Sequence, residues 1–175
     1  MEFHRGDPVM HWMYGFGHVA GIEERTIADR KTLYYAISIR DLTVWVPADD
    51  QLEFRLRPPT TQKGFKELFI ILSGTGEPLP LDRQERKTWL EEKLKDGQAA
   101  SLCHALRDLA TFQEAHSVNY NDENLMKRLR GALLDEWSYA LSVPVSEAEA
   151  ELRRMLAAGT TGDTKSDREG PVQRA

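Results

Sequence analysis

The chain has 175 residues, a formal net charge of −5 and a single cysteine. That length admits one or two domains, and the apolar and aromatic content suits a packed core rather than a disordered chain. An acidic protein is not drawn to nucleic acid by its overall field, so contact with DNA requires a local basic face or a partner that carries the chain there. A lone cysteine, Cys103, excludes an internal disulfide and a cysteine-rich metal site; its expected place is a buried apolar position. No run approaches the roughly 18 apolar residues that span a bilayer. The opening Met1-Glu2-Phe3-His4-Arg5-Gly6-Asp7 lacks an apolar signal core. The chain therefore reads as cytosolic, with no membrane partner.

Residues 6–57 read as short strands. Val9, Val19, Ile22 and Ile27, then Leu33–Ile39 and Leu42–Val46, are rich in β-branched and aromatic side chains. The strand period of two puts Tyr35, Ile37 and Ile39 on one face, and groups Leu42, Val44 and Val46 likewise. Arg40-Asp41 suits a tight hairpin, Asp29-Arg30 a polar turn, and Gly15-Phe16-Gly17 an earlier sharp turn. Four or five strands this short fit a small open barrel. Pro58-Pro59 ends the strand region.

From there the period becomes helical. Phe65, Leu68, Phe69 and Leu72 repeat at three and four before Ser73–Pro80 breaks the helix. Asp82 with Glu85 reads as a capping box, and Asp96-Gly97 as a stop. A third helix spans about 98–114 with Leu102, Leu106, Leu109 and Phe112 inward. A fourth carries Leu125, Leu129, Leu133, Trp137 and Leu141 at four-residue spacing. Pro144 ends it, and Ser146 with Glu149 suggests another capping box, opening a helix through Leu156. Residues 159–175 are polar and expected to be disordered.

Catalytic patterns are missing. Gly74-Thr75-Gly76 lacks phosphate-loop spacing, His104 and His116 stand too far apart on one helix to share a metal, and no serine sits in an elbow motif. Neither cofactor nor metal is expected. The informative features are surfaces. Arg83, Arg86 and Lys87 share one face of a helix that also holds Lys93 and Lys95; this is either a basic patch or an ordinary salt-bridged helix. Trp89 on the same helix is expected in the core. Trp45 is out of phase with Val44 and Val46, so it points away from their face, to be covered by the helical part or to anchor a partner.

The segments Gly6-Asp7-Pro8-Val9, Tyr14–Val19, Ile22–Ile27, Tyr34-Tyr35 and Leu42-Thr43-Val44-Trp45-Val46-Pro47 resemble the opening domain of the CarD family, also found in transcription-repair coupling factors. Leu94–Gly97, Leu106–Leu109 and Ala132–Glu136 resemble its second domain. The resemblance covers roughly residues 3–157. It implies an α+β protein: a Tudor-like β-barrel over 1–57, then a helical domain over 60–158, with 159–175 as a tail. It implies that the barrel binds the RNA polymerase β subunit, through Arg25, Thr26, Ile27, Val44, Trp45 and Val46. The helical domain is then implied to contact promoter DNA at the upstream edge of the open bubble, through Arg83, Arg86, Lys87 and Lys93. The expected protein is a non-catalytic, monomeric, nucleoid-associated regulator of initiation. The alternatives are a polymerase adaptor without DNA activity and a small enzyme. Two positions depart from the family: Trp45 stands where a basic residue is frequent, and Arg83 stands where the family wedges DNA with a tryptophan.

Overall fold

Alternating apolar residues between Pro8 and Arg57 build a single antiparallel sheet. A computed structural model of the chain describes residues 2–27 and 29–161. The strands are β1 (Pro8–His11), β2 (Gly15–Ile27), β3 (Arg30–Ile39), β4 (Leu42–Pro47) and β5 (Leu56–Arg57), with a one-turn helix α1 (Leu52–Arg55) before the last. Their order is β4-β3-β2-β1-β5. Arg40 adopts a left-handed conformation (φ 51°) in the β3–β4 hairpin, and Asp29 does so (φ 61°) between β2 and β3. A register shift between Val19 and Gly21 bends the 13-residue β2. The curled sheet encloses one cluster of Phe3, Val9, Val19, Tyr35, Ile37, Ile39, Val46, Leu52 and Leu56. Tyr35 pairs with Val46 and Ile37 with Val44, so the two inward-facing sets do meet. Leu42, on the same side beside the hairpin, is exposed.

Five helices follow: α2 (Gln62–Ser73), α3 (Arg83–Leu94), α4 (Ala99–Ala115), α5 (Tyr120–Leu141) and α6 (Val145–Thr161). They pack around Phe65, Leu68, Leu72, Leu90, Cys103, Leu106, Leu109, Leu129, Leu133, Trp137 and Leu152, the stripes expected from the helical period. Four details differ from the sequence reading. The sharp turn expected at Gly15-Phe16-Gly17 falls instead at Trp12-Met13-Tyr14, while Gly15, Phe16 and Gly17 open β2, paired with His11, Met10 and Val9. Helix α1 was not foreseen, since four residues carry no period. Helix α6 opens at Val145, with the N–H groups of Glu147 and Ala148 donating to the Pro144 carbonyl, so Ser146 falls inside the first turn and caps nothing. Glu149 pairs with Arg130 instead, at 2.7 Å. Helix α6 also runs to Thr161, past the expected start of the tail at 159, while residues 162–175 lie outside the described residues. No described helix is long and apolar enough to cross a membrane.

Barrel and helices are joined by a buried ion pair. The Arg57 guanidinium, at the end of β5, donates to both oxygens of Glu136 on α5, at 2.5 and 2.9 Å. Glu136 Oε1 also accepts from the backbone N–H and hydroxyl of Thr60. Arg57 donates further to the carbonyls of Gly97 and Pro58. Around this pair the two units approach closely. Gly15 (φ 86°) lies where a side chain would come within 3.4 Å of Ala132, and Gly97 (φ 66°) where one would come within 2.7 Å of the Phe54 carbonyl. Phe16 stacks on Tyr139 at 4.5 Å, and Arg40 bonds Asp135 at 2.6 Å. Cys103 is buried as expected; burial, and secondarily the Glu136 carboxylate, push its thiol up to about 12.

Removing one partner of a buried, hydrogen-bonded ion pair strands the other charge, at a cost of about 3–5 kcal/mol. Glu136→Ala should lower stability by that amount in urea unfolding. The apolar double variant Arg57→Met/Glu136→Leu should recover most of the loss.

Candidate partner edge and basic groove

Strand β4 is the outer edge of the sheet. The Ala48 N–H donates to the Leu33 carbonyl at 2.8 Å, in register with the Val46–Tyr35, Val44–Ile37 and Leu42–Ile39 pairs. Backbone direction alternates along an antiparallel ladder. Val46, Val44 and Leu42 therefore turn their amide groups toward β3. Thr43, Trp45 and Pro47 turn theirs outward, and Pro47 has no N–H to offer. Side chains alternate as well. Val46 is in the core and Val44 packs against it, so within the Val44-Trp45-Val46 segment only Trp45 presents both a side chain and backbone groups away from the barrel interior. Arg25 reaches from β2 across β3 and lays its guanidinium carbon 3.4 Å from the centre of the Trp45 ring. Glu23 sits 3.8 Å from the same guanidinium. Two residues twenty apart in sequence thus form one cation–π surface beside the open edge. Thr26 and Ile27 are exposed on the β2–β3 hairpin, opposite Lys31 and Arg30, where it runs on past the last β4 pair at Tyr34–Pro47.

The basic face expected on α3 is only partly there. Arg83 and Lys87 are exposed. Arg86 is not: it is 2% exposed and shares the core side of α3 with Leu90, four residues on. Its Nε and Nη2 donate to Asp122 at 3.0 and 2.8 Å, its Nη1 to the carbonyls of Pro80 and Leu81, and its guanidinium lies 4.5 Å over the Phe112 ring. The expectation of Arg86 at a phosphate therefore fails, because every guanidinium nitrogen is engaged inside the fold. Lys93 is half-buried between Glu77 (3.3 Å) and Asp108 (3.4 Å), with its ammonium over the Trp89 ring at 4.4 Å. Trp89 packs against the helical core, as expected. Asp82 caps α3 by accepting from the N–H groups of Gln84 and Glu85; the Glu85 half of the capping box is not formed.

Arg83 and Lys87 instead line a groove of about 1110 Å³ whose walls come from both units. Sequence reasoning missed its other members. Trp12 follows β1, Phe54 sits on α1, and Tyr120 and Arg128 belong to α5. No spacing links these segments; only the docking of barrel on helices does. The turn after β1 is held by His11, whose Nδ1 accepts from the N–H groups of Met13 and Tyr14. Burial, assisted by the nearby Arg55 charge, lowers the pKa of His11 to about 4, so the ring stays a neutral acceptor at neutral pH. Among the described residues, neither Arg83 nor Arg128 has an ion-pair partner.

A curved sheet with a free edge, docked through a buried ion pair on a helical unit, defines a two-part α+β protein. Residues 3–58 match the family model described as CarD-like/TRCF RID domain, and residues 67–153 match that of the CarD C-terminal domain. The chain belongs to the CarD family of transcription factors. Among curated relatives, the Bacillus subtilis (strain 168) protein named "Putative transcription factor YdeB" is 26% identical over 136 residues, 77% of this chain and 89% of that protein.

Arg86→Met should destabilise the fold by about 3–5 kcal/mol, since it strands the buried Asp122 carboxylate. Arg83→Ser, at an exposed site, should stay within about 0.5 kcal/mol of the parent. Paired denaturant titrations check both.

Proposed function

We propose that this chain regulates transcription initiation without catalysis. It binds the β subunit of RNA polymerase through the β4 edge and promoter DNA through the helical unit, and it modulates the lifetime of the open complex. The observation that carries the polymerase reading is the Arg25–Trp45 surface beside an unpaired strand edge, on a domain of the CarD-like/TRCF RID type. Strand addition gives affinity through main-chain hydrogen bonds, and neighbouring side chains give specificity. The polymerase supplies the localisation that a net charge of −5 does not, so a small cationic patch suffices for DNA. The protein works in the cytoplasm, at the nucleoid, as a monomer. A second reading is a polymerase adaptor without DNA activity. It is favoured by the withdrawal of Arg86 and Lys93 into internal ion pairs.

Truncating a central interface anchor costs about 2 kcal/mol or more. Arg25→Ala and Trp45→Ala should each weaken binding to the isolated β subunit at least about tenfold by biolayer interferometry. Normal binding by both variants, with folding intact, removes the polymerase reading at this surface.

Arg83 and Lys87 neutralise about two phosphates, which sets a salt slope near −1.8, so fourfold more salt weakens duplex binding about twelvefold. Sequence preference should be slight, because phosphate contacts carry none. The separating measurement is open-complex lifetime on a promoter. An Arg83→Ser/Lys87→Ser variant that binds polymerase but loses its effect on lifetime supports the DNA role. Equal lifetimes with parent, variant and no protein leave the adaptor reading.

A further inference from the structure

We propose that the groove between the barrel and helices α3 and α5 receives unpaired nucleotides of single-stranded DNA, with Trp12 and Tyr120 as stacking platforms. The inference rests on the DNA reading above and adds to it the form of DNA and the residues that hold the bases.

Aromatic exposure is the first ground. Trp12 is 46% exposed, Phe54 40% and Tyr120 76%, and three different segments bring these rings to one concavity. Large apolar side chains gathered in one solvent-open recess mark a binding site. A flat ring takes any base, because every base has a π-face. Bases within a duplex already stack on one another and show only their edges, so rings set in a groove serve unpaired bases.

Charge is the second ground. The lining carries Arg55, Arg83, Lys87, Lys95 and Arg128 among its cations. Its acids are largely answered: Glu91 faces Lys87 at 3.8 Å, Glu92 faces Lys95 at 3.7 Å, Asp82 caps α3, and Asp122 is held by Arg86. Three charged groups of the lining have no ion-pair partner among the described residues: Arg83 on α3, Arg128 on α5 and Asp82, whose carboxylate is taken up by the Gln84 and Glu85 N–H groups, so the uncommitted charges are the two arginines. A phosphodiester chain matches that pattern, with phosphates at the arginines and bases turned onto the rings.

Rigidity is the third. His11 fixes the turn that follows Trp12, the Trp12 N–H donates to the Arg55 carbonyl at 3.1 Å, and the Phe54 backbone rests against Gly97. Tyr120 opens a helix capped by Asn119, which accepts from the N–H groups of Asn121 and Asp122. These bonds fix the backbone that carries each ring, so no segment has to order on binding. The groove, about 1110 Å³, is open to solvent along the seam between the two units.

The test uses the full chain at low salt. Fluorescence anisotropy follows a labelled oligothymidylate of about a dozen nucleotides, within the usual range for a single-strand site. The same-length duplex, thymidine monophosphate and a Glu-rich peptide serve as competitors. The single strand should bind more tightly than the duplex. Trp12→Ala and Tyr120→Ala should each weaken single-strand binding about five- to a hundredfold, the range of a lost stacking platform, while duplex binding stays within about twofold. Tyr120→Phe, which keeps the ring, should bind as the parent does. Tyr120 is exposed enough that its removal leaves the fold intact, and circular dichroism verifies this for Trp12→Ala. Unchanged single-strand binding by both folded variants overturns the proposal. So do an equal loss for duplex and single strand, and better competition by the mononucleotide or the peptide. Duplex binding that depends on Arg83 and Lys87 without single-strand preference sinks this inference and leaves the DNA reading standing; no binding of either form sinks both.

Discussion

Glu136 is a carboxylate with no exposure to water, and the relation between barrel and helices depends on what surrounds it. A buried charge is tolerable only when its desolvation is offset by near-complete hydrogen bonding. Arg57 and Thr60 meet that demand from the strand side of the chain, so Glu136 is satisfied only while the barrel sits in place. The dependence runs both ways. A module of about fifty residues buries too small a share of its surface to be secure alone, and the helical face gives it a second wall. The groove lined by Trp12, Phe54, Lys87 and Tyr120 exists only because the two units are held in this one arrangement.

The same economy explains where the basic residues go. Asp108, Asp122 and Glu136 are buried, and each draws cations inward: Arg107 and Lys93 to the first, Arg86 to the second, Arg57 to the third. Four cations of an acidic chain are thereby turned inward and withdrawn from any anionic partner. Of the cations that line the groove, Arg55, Lys87 and Lys95 each face a surface carboxylate and, among the described residues, Arg83 and Arg128 do not.

Much of the fold was legible in the sequence because periodicity reports burial directly. Tyr35, Ile37 and Ile39, and Leu129, Leu133 and Trp137, lie inside as their spacing required. Trp45 faces away from the barrel interior because alternation leaves it no other side. The site was legible only in part. Helical spacing gathers Arg83, Arg86 and Lys87 on about a third of the helix circumference, yet Arg86 and Lys87 differ by about 100° in direction, and the core boundary falls between them. Nothing local reveals that Asp122, thirty-six residues on, awaits Arg86. Likewise Trp12 and Arg128 gain their neighbourhood from tertiary docking alone. The missed cap at Ser146 has a simpler cause: Pro144 carries the carbonyl that starts the helix, two residues earlier.

An edge open to one visitor is open to every visitor, including a second copy of the chain. The outward groups of β4 answer this by being few. Donors are offered only at Thr43 and Trp45, since Pro47 has none, and the Arg40-Asp41 hairpin closes the other end. A strand that zips along this edge runs out of track after a few residues. Runaway stacking into fibrils needs long, flat, repetitive pairing, and here the track is short, kinked by the barrel's curl and carries a guanidinium over its exposed indole. Pro47 therefore acts as a buffer stop: pairing along this edge ends after a few residues, whichever strand comes to it.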